Sequence, residues 1–256
     1  MKKPIVIIGV GELAGVFAKG FLRCGYPVYP ITRDMDLDQE CQQIPSPKLV
    51  LVLVQENKLH SVLKKLPKPW CHKVGLVQNE LLPRDWQSHP IENPTVTVVW
   101  FEKKKGLELT NILRSPSYGP NASIISNALK AVDIPAPILE NEDDLLYELV
   151  RKAVYILTVN IAGLLNNCTV GDLWMQHESL AREIAEEVIV IQELLTGKQL
   201  PYEKLIQGMA EGIKDCPDRH CLGRSAFSRL ERTLSYAEEA NLNTPKLVEI
   251  YNCAKE

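Results

Sequence analysis

The stretch Ile5-Val6-Ile7-Ile8-Gly9-Val10-Gly11-Glu12-Leu13-Ala14 decides the reading of the fold. Its apolar, largely β-branched start reads as a short buried strand, and Glu12–Cys24 carries apolar residues at helical spacing. Between them lies a Gly-x-Gly-x-x-Ala pattern. Gly9 permits the tight turn, Gly11 lets the backbone approach a pyrophosphate, and Ala14 keeps the helix close to the strand. The unpaired amides at the helix start face the anion. The strand–loop–helix context makes this a dinucleotide-binding loop, with Gly9, Gly11, Glu12, Leu13 and Ala14 as cofactor-binding residues. The competing reading is a glycine turn that closes an ordinary strand–helix unit.

Outward from this loop, strand-like and helix-like segments alternate. Val28–Thr32 reads as a strand, Leu49–Val54 as a strand covered on both faces, Asn57–Leu66 as a helix, and Val74–Gln78 and Thr95–Phe101 as further strands. The texture changes near residue 140. Asp143–Asn166, His177–Leu195, Pro201–Lys214 and Ala226–Ala240 carry helical patterns, and Pro245 opens a last helix. The expected architecture is α/β: an N-terminal Rossmann-type doubly wound sheet over residues 1–140, followed by an all-helical C-terminal domain over 141–256.

The second strand bears on the choice of dinucleotide. It ends in Pro30-Ile31-Thr32-Arg33-Asp34. Thr32 and Arg33 stand where a 2′-phosphate would lie, which favours NADP (NADPH) as the cofactor. Asp34, one residue on, is the type of residue that binds NAD ribose hydroxyls. A solvated surface arginine is the plain alternative for Arg33.

Composition bounds the remaining classes. The 256 residues are 45% hydrophobic and 24% charged, with a net charge of −3, as in a globular protein with no electrostatic footprint for nucleic acid or an anionic membrane. The apolar run behind Lys2 and Lys3 ends at Val10, too short for a signal peptide, and no stretch approaches the roughly 18–20 apolar residues of a membrane span. Seven scattered cysteines suit a reducing compartment, so a soluble, cytoplasmic protein is expected. Cys216, His220 and Cys221 match no strong zinc spacing, and no metal is expected. Glu183, Glu186 and Glu187 read as a solvated helix face, and Trp100-Phe101 before Glu102-Lys103-Lys104-Lys105 as a strand end and a wet turn.

The junction carries a second motif: Asp144-Leu-Leu-Tyr-Glu-Leu-Val-Arg-Lys152, continuing through Asn160-Ile-Ala-Gly-Leu-Leu to Gly171-Asp172-Leu173. This stretch resembles the ketopantoate reductase (2-dehydropantoate 2-reductase) family, whose Asp-Ile-x-x-x-Leu-Trp-x-Lys segment leads into an asparagine-bearing helix. Gly75-Leu-Val-Gln-Asn79 likewise resembles that family's Leu-x-Gln-Asn-Gly, with Glu80 where glycine is usual. The resemblance implies hydride transfer from NADPH to the keto carbon of a 2-oxo acid. Lys152 corresponds to the family's catalytic lysine, which gives a proton to the developing alkoxide. Asn79 corresponds to an asparagine beside the nicotinamide and substrate, and Asn160 to one of two that orient the substrate. Positions 152, 156 and 160 share one helix face.

Two departures stand out. Ile156 occupies the place of the family's other asparagine. No acid stands near Ser225 or Phe227, where a pocket glutamate is expected, and Glu231 is the nearest carboxylate downstream. A boundary lysine for Lys152 and a structural hydrogen bond for Asn160 are the plain alternatives. Two functions remain open: a 2-oxo acid reductase, with a small 2-oxo acid as partner and a possible homodimer, or a non-catalytic NADP(H)-binding protein that has lost the usual substrate pocket.

Overall fold

The computed structural model describes residues 2–255. Strands β1 (Ile5–Ile8), β2 (Val28–Ile31), β3 (Leu49–Val52), β4 (Val74–Leu76) and β5 (Thr95–Thr97) run parallel in the order β2-β1-β3-β4-β5. A small hairpin, β6 (Phe101–Glu102) and β7 (Thr110–Asn111), stands apart from the sheet. Strand β8 (Ser117–Tyr118) closes the sheet antiparallel to β5. Helices α1 (Glu12–Arg23), α2 (Leu37–Gln43), α3 (Glu56–Leu63), α4 (Pro83–Gln87) and α5 (Ala122–Lys130) lie among the strands. This is a Rossmann-type sheet, and its order reverses between β1 and β3.

Every residue of β1 and β3 is buried, which their unbroken apolar character requires of central parallel strands. Ile5, Ile7, Leu49 and Leu51 form one core cluster with Phe17 and Phe21 of α1 and with Ile125, Ala128 and Leu129 of α5. The two helices touch closely at Gly20, where an added Cβ would come 2.2 Å from the Ala128 carbonyl oxygen.

The apolar run Thr95–Phe101 is not one strand. Trp100 donates its backbone N–H to the Ser115 hydroxyl at 2.8 Å, and the Trp100 carbonyl accepts from Ile112 N–H at 2.7 Å. The chain thereby leaves the sheet after Thr97 and enters the hairpin. The lysine run lies in the loop joining β6 to β7.

The second half is helical: α6 (Glu142–Leu165), α7 (Val170–Gln176), α8 (Glu178–Thr196), α9 (Tyr202–Asp215), α10 (Ala226–Glu239) and α11 (Pro245–Cys253). The chain divides into two compact units at Leu149 and Val150, within α6. Asn141 caps that helix, its Oδ1 accepting from Asp144 N–H at 2.8 Å. In the C-terminal unit α8 packs against α7, α9, α10 and α11, burying Ile184, Val188 and Ile191.

The acidic face of α8 is exposed at Glu183 and Glu186, as expected, and half-buried at Glu187, and it also makes specific contacts. Glu187 accepts from the Lys246 and Leu247 amides at 2.8 and 2.9 Å, satisfying the start of α11. Glu186 accepts from the Tyr202 hydroxyl at 2.7 Å, and Glu183 pairs with Lys246 at 3.1 Å. No helix among the described residues is long and apolar enough to cross a membrane.

Candidate functional site

The strand register places Ile8, Ile31, Val52 and Leu76 in one row across β1, β2, β3 and β4. The loops beginning at Gly9, Thr32, Leu53 and Val77 therefore issue from one edge of the sheet, the carboxyl edge on which open α/β sheets bind ligands. At about 4.8 Å between strands, the span from β2 to β4 is about 14 Å.

Gly9 is held by two neighbours in this row. Its N–H donates to the Ile31 carbonyl at 3.0 Å, and its φ of +98° brings it against the next strand. An added Cβ would meet the Leu53 carbonyl oxygen at 2.8 Å. Gly11 differs in kind. It is exposed and extended, it precedes α1 with no side-chain cap, and nothing lies within 4 Å of an added Cβ. The open side at Gly11 and the uncapped amides of the first turn are what an approaching pyrophosphate needs. Glu12 and Leu13 form that turn, with Glu12 exposed and Leu13 half-buried, while Ala14 is buried against the sheet. The Glu12 carboxylate stands in the first turn of α1, where it would compete with a bound anion for the positive end of the helix.

Thr32 and Arg33 are exposed just beyond β2, in a turn closed by Met35 N–H donating to the Thr32 carbonyl. Asp36, three residues past Arg33, caps α2 by accepting from the Asp38 and Gln39 amides.

Asn79 sits three residues past the end of β4 rather than at the strand's last position. Its Nδ2 donates to Glu56 Oε1 at 3.0 Å, at the start of α3. The adjoining Gln78 ties the ends of β3 and β4 together, its Nε2 donating to the Val52 and Val54 carbonyls. Glu80 has a φ of 60°. That left-handed turn is the physical reason a glycine suits this place, and glutamate occupies it here at a steric cost.

In the C-terminal unit, Lys152, Ile156 and Asn160 are all buried on α6. The Lys152 Nζ lies 5.8 Å from the Tyr155 ring centroid. Burial pushes the Tyr155 hydroxyl above its usual range, opposed by Arg219, which donates to it at 3.1 Å. Asn160 is 2% exposed, and both ends of its amide are engaged. Nδ2 donates to the Cys221 carbonyl at 3.0 Å, and Oδ1 accepts from Arg229 at 2.7 Å. Gly223 lies against the same oxygen, where an added Cβ would come to 2.7 Å.

The segment expected to carry a pocket acid is the start of α10. Ser225 precedes the helix, Phe227 stacks on Tyr251 with centroids 5.5 Å apart, and Glu231 is exposed. Sequence reading gave Gln78 no role of its own and did not reach the partners of Asn160. The glycine usual at position 80 is the signal for the left-handed turn found at Glu80.

No protein-family model matches the chain, and no curated protein matches it. Solved structures do. A PanE/ApbA family ketopantoate reductase from Ralstonia eutropha JMP134 is 14% identical with a TM-score of 0.71, over 100% of this chain and 97% of that one. A dimeric ketopantoate reductase from Staphylococcus aureus is 17% identical with a TM-score of 0.67, over 98% and 97%. D-mandelate dehydrogenase, solved with NADH and anilino(oxo)acetate, is 14% identical with a TM-score of 0.70, over 100% and 97%. The chain thus has the fold that ketopantoate reductases and D-mandelate dehydrogenase share, an N-terminal Rossmann-type sheet followed by helices.

Proposed function

We propose that the chain is a divergent member of the ketopantoate reductase family, a cytoplasmic NADPH-dependent reductase of a 2-oxo acid, working as a homodimer. The observation that carries this reading is the loop row at the carboxyl edge, where the open, uncapped start of α1 at Gly11 shares one edge with Arg33 and Asn79. Fold likeness to reductases of such acids, one of them with NADH bound, supports it. The residues present fit a dinucleotide. The amides at Gly11, Glu12 and Leu13 would hold the pyrophosphate, with Gly9 and Ala14 setting the loop. Thr32 and Arg33 would hold the 2′-phosphate, for which a guanidinium suits as a partner.

When bound, the nicotinamide supplies the hydride that reduces the keto carbon. Asn79, whose amide donates to Glu56 in the free chain, would turn an amide hydrogen bond to the substrate carbonyl. Lys152 Nζ would give its proton to the carbonyl oxygen as that oxygen gains charge. For Asn160 to orient the substrate directly, its bond to Arg229 must open.

That last requirement favours a second reading, a non-catalytic NADP(H)-binding protein. Ile156 offers the substrate no polar atom, and the Asn160 amide is spent inside the helical unit. Oxidation of NADPH against a panel of 2-oxo acids, ketopantoate included, tests the proposal. Turnover of one of them supports the reductase; tight NADPH binding with none moves the assignment to the binding protein.

A further inference from the structure

Cys168 and Cys221 are far apart in sequence and face each other in the C-terminal unit. Thr169 and His220 form an antiparallel bridge, Val170 N–H donates to the Arg219 carbonyl at 2.7 Å, and Cys221 N–H donates to the Cys168 carbonyl at 3.1 Å. The two cysteines are therefore opposite residues of one short antiparallel pair. Opposite residues hold their Cα atoms about 4.5–5.5 Å apart, inside the roughly 4.4–6.8 Å window of a disulfide. The two sulfurs lie 3.9 Å apart. Cys168 is half-buried and within reach of solvent, whereas Cys221 is fully buried.

We propose that Cys168 and Cys221 form a peroxide-responsive thiol pair that closes reversibly into a disulfide stapling the 168–171 segment to the 217–221 segment. Cys168 is the reacting thiol because it is the accessible one. Its thiolate sulfur attacks one oxygen of a hydroperoxide, the O–O bond breaks, and the leaving oxygen takes up a proton, giving a sulfenic acid at Cys168. The Cys221 sulfur then attacks the Cys168 sulfur, the S–O bond breaks, and the hydroxyl departs as water with the Cys221 proton. Two thiols lose two hydrogens, and hydrogen peroxide is reduced to two waters. A dithiol reverses the step by exchange. Burial and the adjoining Cys168 push the Cys221 thiol up to about 12, so Cys221 acts as the resolving partner rather than as the first nucleophile.

The staple fastens a strategic segment. The Cys221 carbonyl accepts from Asn160, and the Cys221–Leu222 backbone lies so close to Gly163 of α6 that an added Cβ would come within 2.8 Å of it. Closing the pair pins this segment against the middle of α6.

Peptide mapping of the full chain after treatment with hydrogen peroxide tests the inference without any variant. The expected product is a linked Cys168–Cys221 peptide pair that has lost two hydrogens and separates again with dithiothreitol. The oxidised protein should unfold several degrees higher, because the cross-link closes a long loop. Cys221→Ser should trap a sulfenic acid at Cys168 that a dimedone probe labels. Stable oxygen adducts on Cys168 in the unmutated chain, or a link from Cys168 to Cys216 instead, would overturn the inference. None of these readouts depends on cofactor binding or turnover, so the inference stands or falls apart from the proposed function.

Discussion

Replacing Gly11 by alanine should separate cofactor binding from folding, and replacing Gly9 should not. At Gly9 the backbone has a φ of +98°, and a Cβ would sit 2.8 Å from the Leu53 carbonyl oxygen. A non-glycine residue in such a conformation costs about 1–3 kcal/mol, and the clash adds to it, so Gly9→Ala should destabilise by about 2–4 kcal/mol. Gly11 is extended, and an added Cβ meets nothing within 4 Å. Weakening the helix cap costs about 0.5–1 kcal/mol, and the stiffer unfolded chain returns about 0.4–1 kcal/mol. Gly11→Ala should therefore leave the urea midpoint almost unchanged. The methyl group would still hold a phosphate off the α1 amides. Losing one charge-assisted hydrogen bond, worth about 1.5–3 kcal/mol, raises the Kd for NADPH roughly ten- to a hundredfold. Fluorescence titration with NADPH, beside urea unfolding of the same samples, measures both numbers. If Gly11→Ala folds normally and binds NADPH as tightly as the unmutated chain, the pyrophosphate does not lie on this loop, and the reasoning fails.

Arg33→Asp should raise the Kd for NADPH far more than that for NADH, because it removes the proposed partner of the 2′-phosphate; equal effects would remove Arg33 from the site. Glu12→Gln should tighten NADPH binding several-fold, since an exposed carboxylate at the start of α1 competes with the bound anion, at a cost to the helix of a few tenths of a kcal/mol. Asn160→Ala should destabilise the helical unit by about 2–4 kcal/mol, as it leaves the buried Arg229 guanidinium and the Cys221 carbonyl each short of a partner; calorimetry of the variant reads this. Burial raises Cys221 from 9.0 to about 12 and Tyr155 above 10.0, so the folded chain keeps protons that the unfolded chain releases. Their contribution is complete below about pH 9 and is lost as pH rises beyond it. Urea midpoints should fall between about pH 9 and pH 12, and less steeply in Cys221→Ser, whose hydroxyl does not titrate.

Much of the N-terminal half was legible because its signals are local. Four apolar residues followed by Gly-x-Gly announce β1, the loop and α1, and Leu49–Val52 could only be a strand covered on both faces. The end of β5 was not legible, because Val98, Val99, Trp100 and Phe101 continue the apolar run without a break. The chain turns there on the Ser115 hydroxyl, a partner from beyond the hairpin. Asn160 shows the same limit at the candidate site. That a buried amide must be satisfied follows from sequence and burial, but its partners are Cys221 and Arg229, 61 and 69 residues away. Those contacts exist only once α10 and the segment before it have packed. Glu80 is the converse case, since the glycine usual at its place already implied the left-handed turn that the backbone adopts.

The central claim is that this chain reduces a 2-oxo acid with Lys152 as the proton donor. The most direct measurement is the rate of NADPH oxidation with the best substrate of a 2-oxo acid panel, by the unmutated chain and by Lys152→Ala, each first shown to bind NADPH. The account predicts turnover by the unmutated chain and a fall of about a hundredfold or more in kcat for Lys152→Ala, with NADPH affinity retained. Equal rates in the two proteins, or no turnover of any acid by a chain that binds NADPH tightly, would contradict it.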